Sequence, residues 1–268
     1  MELTLTILII LLIVGLIVGI IGTISGIGGG VFYVTVLTLI FFMPINEAID
    51  TSNYIILITS SVGFFTYLKQ GRTNIKLSLI FSGFSILGSL ICTIIFLFVR
   101  IENAVLKFIF ASVLLITGIY MGYKAITTYK ENKNVIGKES ENNFSLKDHD
   151  YKKNIKKSIP LFMAAGFISN LLGIGGGIIN IPTLNIVLGY PIHNSTAIST
   201  SIIFFTAIFN TIVKAIYGKI HYVIGTVIGI GSVLGAYIGA KVSKKMPKTT
   251  LQVFVAVVII GLSIRMFF

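Results

Sequence analysis

Charge is what this chain has least of: only 11% of its 268 residues are Asp, Glu, Lys or Arg, against roughly 25% in a soluble domain. With 55% hydrophobic residues, that scarcity excludes an ordinary water-soluble fold and predicts a multi-pass protein of the cell membrane, with the lipid bilayer as its solvent. Cysteine is nearly missing as well. Cys92 stands alone, which excludes an intrachain disulfide, and its apolar surroundings read as a packed core thiol. The motifs CxxC, HExxH, GxSxG and GxxxxGK[ST] do not occur. A membrane-embedded enzyme needs a nucleophile with its base, a metal set or paired acids, and none is legible. No catalytic residue, metal ligand or cofactor is therefore expected.

The few charges are unbalanced, with a net charge of +12. In a membrane protein this describes loops before it describes a partner, because basic residues accumulate on the cytoplasmic side. Nucleic acid is the weaker explanation. Residues 124–157 hold nine lysines and five acids and read as a solvated cytoplasmic tether, with Lys152, Lys153, Lys156 and Lys157 placed to meet anionic headgroups.

Glycine, by contrast, is abundant, and its placement is ordered. Gly26-Ile27-Gly28-Gly29-Gly30 returns as Gly173-Ile174-Gly175-Gly176-Gly177, an offset of 173 − 26 = 147. The same offset pairs Leu37 with Leu184, Pro44 with Pro191, Ser52 with Ser199, Ser85 with Ser232 and Gly88 with Gly235. A chance cluster does not hold register over such a distance, so the chain is a duplication of one unit. The expected organisation is a first membrane repeat, 1–123, a linker, 124–157, and a second repeat, 158–268.

Apolar runs at 51–68, 76–99, 103–123, 194–217, 222–241 and 250–267 are each long enough to span. The run 3–24 has no basic segment before it and no cleavage site after it, and reads as a mature helix. Around the second motif, 159–172 and 178–189 give helices of about 20 Å each, too short to cross a ~30 Å core. The predicted solution is a helical hairpin with glycine at its buried tip, in each half, followed by three spanning helices. That odd count makes the fold an all-α inverted repeat. The inverted arrangement places Lys69, Arg72, Lys76, Lys241, Lys244, Lys245 and Lys248 on the linker's side, as the positive-inside trend requires. Glycines at 15 and 19, and at 231, 235 and 239, give small faces for close helix packing, between the halves or at a homodimer contact.

Five residues with so little side chain expose backbone N–H and C=O groups, which hydrocarbon does not tolerate unless they face protein, water or ligand. A glycine break followed by a helix offers N–H groups and the positive end of a helix dipole to an anion. The candidate substrate-binding residues are Gly28, Gly29 and Gly30, and Gly175, Gly176 and Gly177. A second, uncharged layer adds Ser25, Ser52, Asn53, Asn180, Ser199 and Thr200, whose hydroxyls and carboxamides can donate to oxyanions. Helix-to-helix hydrogen bonding is the bland alternative for that layer. Lys107, Lys214 and Arg265 fall near helix ends, where snorkelling is the default. Glu47 and Asp50 align with Asn194 and Ala197, so the copies share no acid pair. His193 follows Pro191 in a loop and reads as solvated, while His221 opens a helix. Asp50 lies about 20 residues past the first motif, but a dinucleotide loop needs a soluble α/β unit, and the second copy has Ala197 where the acid belongs.

The Gly-x-Gly-Gly-Gly run with Pro182 and Leu184 downstream, then the hydroxyl-rich stretch at Ser199, Thr200 and Ser201, resembles the TauE/SafE family of sulfite exporters and toluenesulfonate permeases. The likeness covers both halves and leaves out mainly the linker, although the first copy has Thr35 where the second has Pro182. The resemblance implies a permease for a small sulfur-containing anion. The competing readings are a carrier for another small ion or metal and a non-transporting membrane assembly subunit.

Overall fold

A computed structural model describes residues 5–99, 102–134, 154–243, 260–261 and 263–264. The described secondary structure is helical throughout: α1 (Leu5–Ser25), α2 (Gly30–Leu39), α3 (Ile45–Lys69), α4 (Ile75–Phe98), α5 (Asn103–Asn134), α6 (Ile155–Leu172), α7 (Gly177–Pro182) with a π-helical turn (Thr183–Val187), α8 (Ile192–Tyr217) and α9 (Tyr222–Val242). Local chemistry sets several boundaries. The Asn74 side chain accepts the Lys76 N–H at 2.8 Å and starts α4. Gly173, at φ +65°, stops α6. Pro182 has no N–H for the next helical bond, and the chain continues as a π turn instead. Its counterpart Thr35 lets α2 run regularly to Leu39.

Helices α1, α4, α8, α9 and the Asn103–Tyr120 part of α5 are long and apolar enough to cross a membrane. Two expected spans differ. Run 51–68 forms α3, which starts six residues earlier and carries buried Asp50, Thr51, Ser52 and Asn53, so it is more polar than a lipid-facing span. Run 250–267 lies outside the described residues except at 260–261 and 263–264. Helix α6 is longer than expected at 18 residues, with Pro160 inside its first turns, and α5 continues past Tyr123.

The halves interlock. Gly15 and Gly19 of α1 let Ile228, Ser232 and Ala236 of α9 approach to backbone contact, and Gly231, Gly235 and Gly239 admit Leu12, Leu16 and Ile20 in return. The duplicated counterpart is α4 on α6, where Gly88 meets Met163, Gly166 meets Ser85, and Phe81 stacks on Phe162 at 4.9 Å. The glycine stripes thus serve packing within one chain. Along α1 and α9 contacts advance together, so these helices are parallel, as are α3 and α9: Thr51 meets His221, Thr59 meets Ser232, Gln70 meets Ala240. Helix α8 runs antiparallel to its counterpart α3, with Asn210 on Asn53 and Thr200 on Gly63. One end of the bundle is marked by Arg72, which donates to the His193 carbonyl at 2.7 Å. The other is marked by Asp50 and Lys214.

Apolar side chains face outward, among them Ile9, Ile13 and Ile17 of α1, and Leu87, Leu90 and Ile94 of α4. Polar residues of α3 and α8 face inward: Thr51, Ser52, Asn53, Thr59, Ser199, Thr200, Ser201 and Asn210 are all buried. A polar interior inside an apolar shell is what a path through lipid needs.

Candidate functional site

The two glycine breaks meet. Seven residues into α3 and seven into α8, Ser52 and Ser199 reach across to the opposite half: Ser52 Oγ donates to the Gly173 carbonyl and Ser199 Oγ to the Gly26 carbonyl, both at 2.8 Å. These bonds are copies of each other under the 147-residue offset. They hold the C-terminal ends of α1 and α6 against the other half, and from there each break turns back into the protein interior. Gly26, Gly28, Gly29, Gly173, Gly175 and Gly176 all have φ between +65° and +97°, a region closed to most L-residues. Gly29 then lies beside Val18 and Gly176 beside Ala165, so each returning segment packs on the helix that led to it.

At the junction the backbones touch. A Cβ on Gly28 would stand 3.7 Å from the Gly175 Cα, and one on Gly175 would stand 3.7 Å from the Gly28 Cα. A Cβ on Gly30 would fall on the Gly173 carbonyl, and one on Gly177 on the Gly26 carbonyl. Ile56 and Ile203, each the twelfth residue of its helix, border the contact, which puts it near the middle of the bundle. Here α2 and α7 begin, from opposite halves; Phe32 and Tyr33 give their N–H groups to the Gly29 carbonyl, and Ile179 and Asn180 give theirs to the Gly176 carbonyl, so only the leading N–H groups of each helix point outward.

The surrounding polar residues divide into two groups. Ser25 donates to the Gly22 carbonyl at 3.2 Å, and Thr200 to the Thr196 carbonyl at 2.9 Å; like Ser52 and Ser199, they hold backbone. Asn53 donates to the Ile49 carbonyl at 3.0 Å and accepts from Asn210 at 3.2 Å. Asn180 differs from all of these. It is 1% exposed, and neither its carboxamide nitrogen nor its oxygen has a hydrogen-bond partner. Its counterpart is Tyr33, whose larger ring carries a hydroxyl to Thr59 at 3.0 Å, from where the chain of bonds runs on to Ser232. A buried amide without partners costs on the order of 1–3 kcal/mol, so Asn180 holds bonding capacity for a water or a polar ligand.

Several participants escaped sequence reasoning. Asn210 stands where the first copy has Gly63, and its carboxamide fills the space beside Asn53 and Ser169. Lys214 does not snorkel: its Nζ pairs with Asp50 at 3.0 Å, and the side chains are only 18% and 10% exposed. His221, at the start of α9, binds Glu47 at 2.7 Å. The legible signal was mutual departure from the repeat: Asp50 replaces Ala197, and Lys214 replaces Tyr67. Among the described residues, no three His, Cys, Asp or Glu gather as a metal set.

Because Ser52 and Ser199 make matched bonds, Ser52→Ala and Ser199→Ala should each lower stability by about 1–2 kcal/mol, the cost of an unsatisfied buried carbonyl. Thermal unfolding in detergent measures this. Unchanged melting for both would mean that these bonds do not hold the breaks.

The family profile described as "Sulfite exporter TauE/SafE" matches residues 11–266. A "Probable membrane transporter protein MJ0441" of Methanocaldococcus jannaschii is 31% identical over 195 residues, covering 68% of this chain and 63% of that protein. The chain thus spans less than two thirds of that relative. Two "Probable membrane transporter" proteins of Bacillus subtilis, YdhB and YunE, are 28% and 25% identical, each over 68% of this chain and 69% of their own. No solved structure matches. With interlocked halves, apolar outer faces and a profile match over nearly its whole length, the chain belongs to the TauE/SafE family of multi-pass membrane transporters.

Proposed function

We propose that this chain is a permease that moves small sulfur-containing anions, such as sulfite or a sulfonate, across the cell membrane, holding the anion at the junction of its two glycine breaks. One observation carries the reading: the helices α2 and α7 start from opposite halves at a shared, buried contact midway along α3 and α8. Partial positive charge from both helix starts suits an oxyanion there. The backbone of Gly29, Gly30, Gly175, Gly176 and Gly177 would contribute N–H groups, with the Asn53 and Asn180 carboxamides as side-chain ligands; Gly28, whose N–H already donates to the Gly22 carbonyl at 3.3 Å, would contribute the close backbone approach. Ser25, Ser52 and Ser199 would keep the breaks in shape, while Thr200 would join the uncharged binding layer. The family description, sulfite export, favours a sulfur oxyanion over other small ions.

Two repeats, 1–123 and 158–268, would stand inverted across the membrane, a reading supported by the opposed directions of α3 and α8. The Arg72 end would be cytoplasmic, with residues 124–157 on the same side. Flux into proteoliposomes of labelled sulfite, sulfate, thiosulfate and a two-carbon sulfonate tests the substrate class. Saturable uptake of at least one sulfur anion above empty liposomes is expected; uptake of none, by folded protein, would overturn the assignment.

Topology has its own test. In a Cys92→Ser background, Arg72→Cys and Lys241→Cys should both react with an impermeant thiol reagent from the cytoplasmic face, and Lys219→Cys from the opposite one. Labelling of the first two from different faces would be incompatible with the inverted arrangement.

A further inference from the structure

The duplication supplies a comparison that a single-copy protein lacks. Some structural contacts recur at the 147-residue offset, as the two serine clasps do. Asp50 and Lys214 do not recur, yet both departures fall on one contact. Its equivalent at the other end is Ala197 against Tyr67, both fully buried, with the Tyr67 hydroxyl donating to the Thr23 carbonyl at 2.9 Å and Arg72 over its ring at 4.7 Å. One end is closed by packing. The other is closed by charge.

The charged end is arranged as an oxyanion site with an occupant already in it. The Asp50 carboxylate takes Lys214 Nζ on one oxygen at 3.0 Å and the Lys219 backbone N–H on the other at 2.9 Å. Gly218 leaves room for it, since a Cβ there would stand 2.6 Å from Asp50 Oδ2. One turn toward the bundle's end, Glu47 is held by His221 at 2.7 Å and Lys219 Nζ at 3.6 Å, and borders a cavity of ≈ 490 Å³ with Phe41, Met43 and Tyr222. One turn the other way lie Asn53 and its partners Asn210 and Thr211. Along α3 the ion pair therefore sits between the cavity that Glu47 borders and the polar interior.

We infer that Lys214 and the Lys219 N–H form an anion-binding station on the transport path, with Asp50 as its tethered occupant, and that an incoming oxyanion of one or two negative charges displaces Asp50 to pass inward. This rests on the permease reading above and adds to it the positive charge that the glycine junction lacks. An ammonium released from its carboxylate attracts an anion and repels a cation of the same size. A structural clasp, when opened, admits both alike.

The test separates these and does not depend on the identity of the substrate. In the full chain with Cys92→Ser, a probe thiol is introduced by Asn53→Cys, and independently by Thr211→Cys. Its reaction rate in detergent is measured with two methanethiosulfonates, one bearing an ethylsulfonate anion and one an ethyltrimethylammonium cation. Asp50→Asn should raise the rate with the anionic reagent about tenfold while the cationic rate stays flat or falls, and adding Lys214→Gln should remove the gain. Equal acceleration of both reagents, or of neither, at both probe positions would overturn the station. In proteoliposomes, Asp50→Asn/Lys214→Gln should raise the KM for labelled sulfite about tenfold with little change in kcat; a wild-type KM in that variant would also overturn it. If the wild-type protein carries no sulfite while the reagents discriminate as expected, the substrate assignment fails and the station stands.

Discussion

Gly30→Val and Gly177→Val should each abolish the folded transporter or its transport, with a loss of about 4 kcal/mol or more. The added Cβ meets backbone, the Gly173 carbonyl in one case and the Gly26 carbonyl in the other, and neither can rotate away as a side chain would. Close packing leaves no compensating void, so the junction must open or the halves must separate. The Gly83→Ala variant is the contrast. Gly83 lies within α4, and a methyl group added there would meet nothing within 4 Å, so alanine should leave melting unchanged or raise stability by up to about 1 kcal/mol. Monodispersity, melting temperature and uptake for the three variants check the prediction. Full activity from a folded Gly30→Val protein would show that the two backbones do not meet.

The second large effect concerns charge. Lys214→Gln should destabilise the protein by about 3 kcal/mol, because it strands the Asp50 carboxylate in a poorly solvated position, where only 10% of that side chain is exposed. Asp50→Asn/Lys214→Gln should recover most of that loss, since removing both partners of a buried pair is often nearly neutral. The four members of the cycle, compared by thermal unfolding, give the coupling directly. Equal melting for Lys214→Gln and wild type would mean that the pair is solvated and contributes little.

Both effects bear on what a sequence conveys by itself. The membrane class and the helical fold were legible because scarce charge and long apolar runs leave few alternatives. The duplication was legible because glycine is irreplaceable where φ is positive or backbones touch, so Gly26 to Gly30 and Gly173 to Gly177 kept their spacing. What spacing could not convey is which half each residue touches. Ser52 and Ser199 were legible as a pair, but that each holds the opposite half's break depends on three-dimensional interlocking. Asn180 was noticed for its place beside the motif, while its lack of any partner is visible only in the packed interior. Asp50 and Lys214 lie 164 positions apart, 214 − 50, and the preference of lysine for helix ends suggested snorkelling. Burial and proximity made them partners. Run 51–68 read as an ordinary span because its apolar residues outnumber the polar ones; folding turns the polar ones inward.

The central claim is that anions cross where the two breaks meet, which requires the breaks to part. A plug beside the contact tests it most directly. In a Cys92→Ser background, Ile203→Cys places one thiol beside both Gly28 and Gly175, on the regular helix α8. Labelled sulfite uptake is then compared in one batch of proteoliposomes, untreated and after complete alkylation with N-ethylmaleimide, with Cys92→Ser alone as the reagent control. Uptake should fall at least tenfold on alkylation and stay unchanged in the control. Equal uptake by the fully alkylated and the untreated protein would contradict passage through the junction.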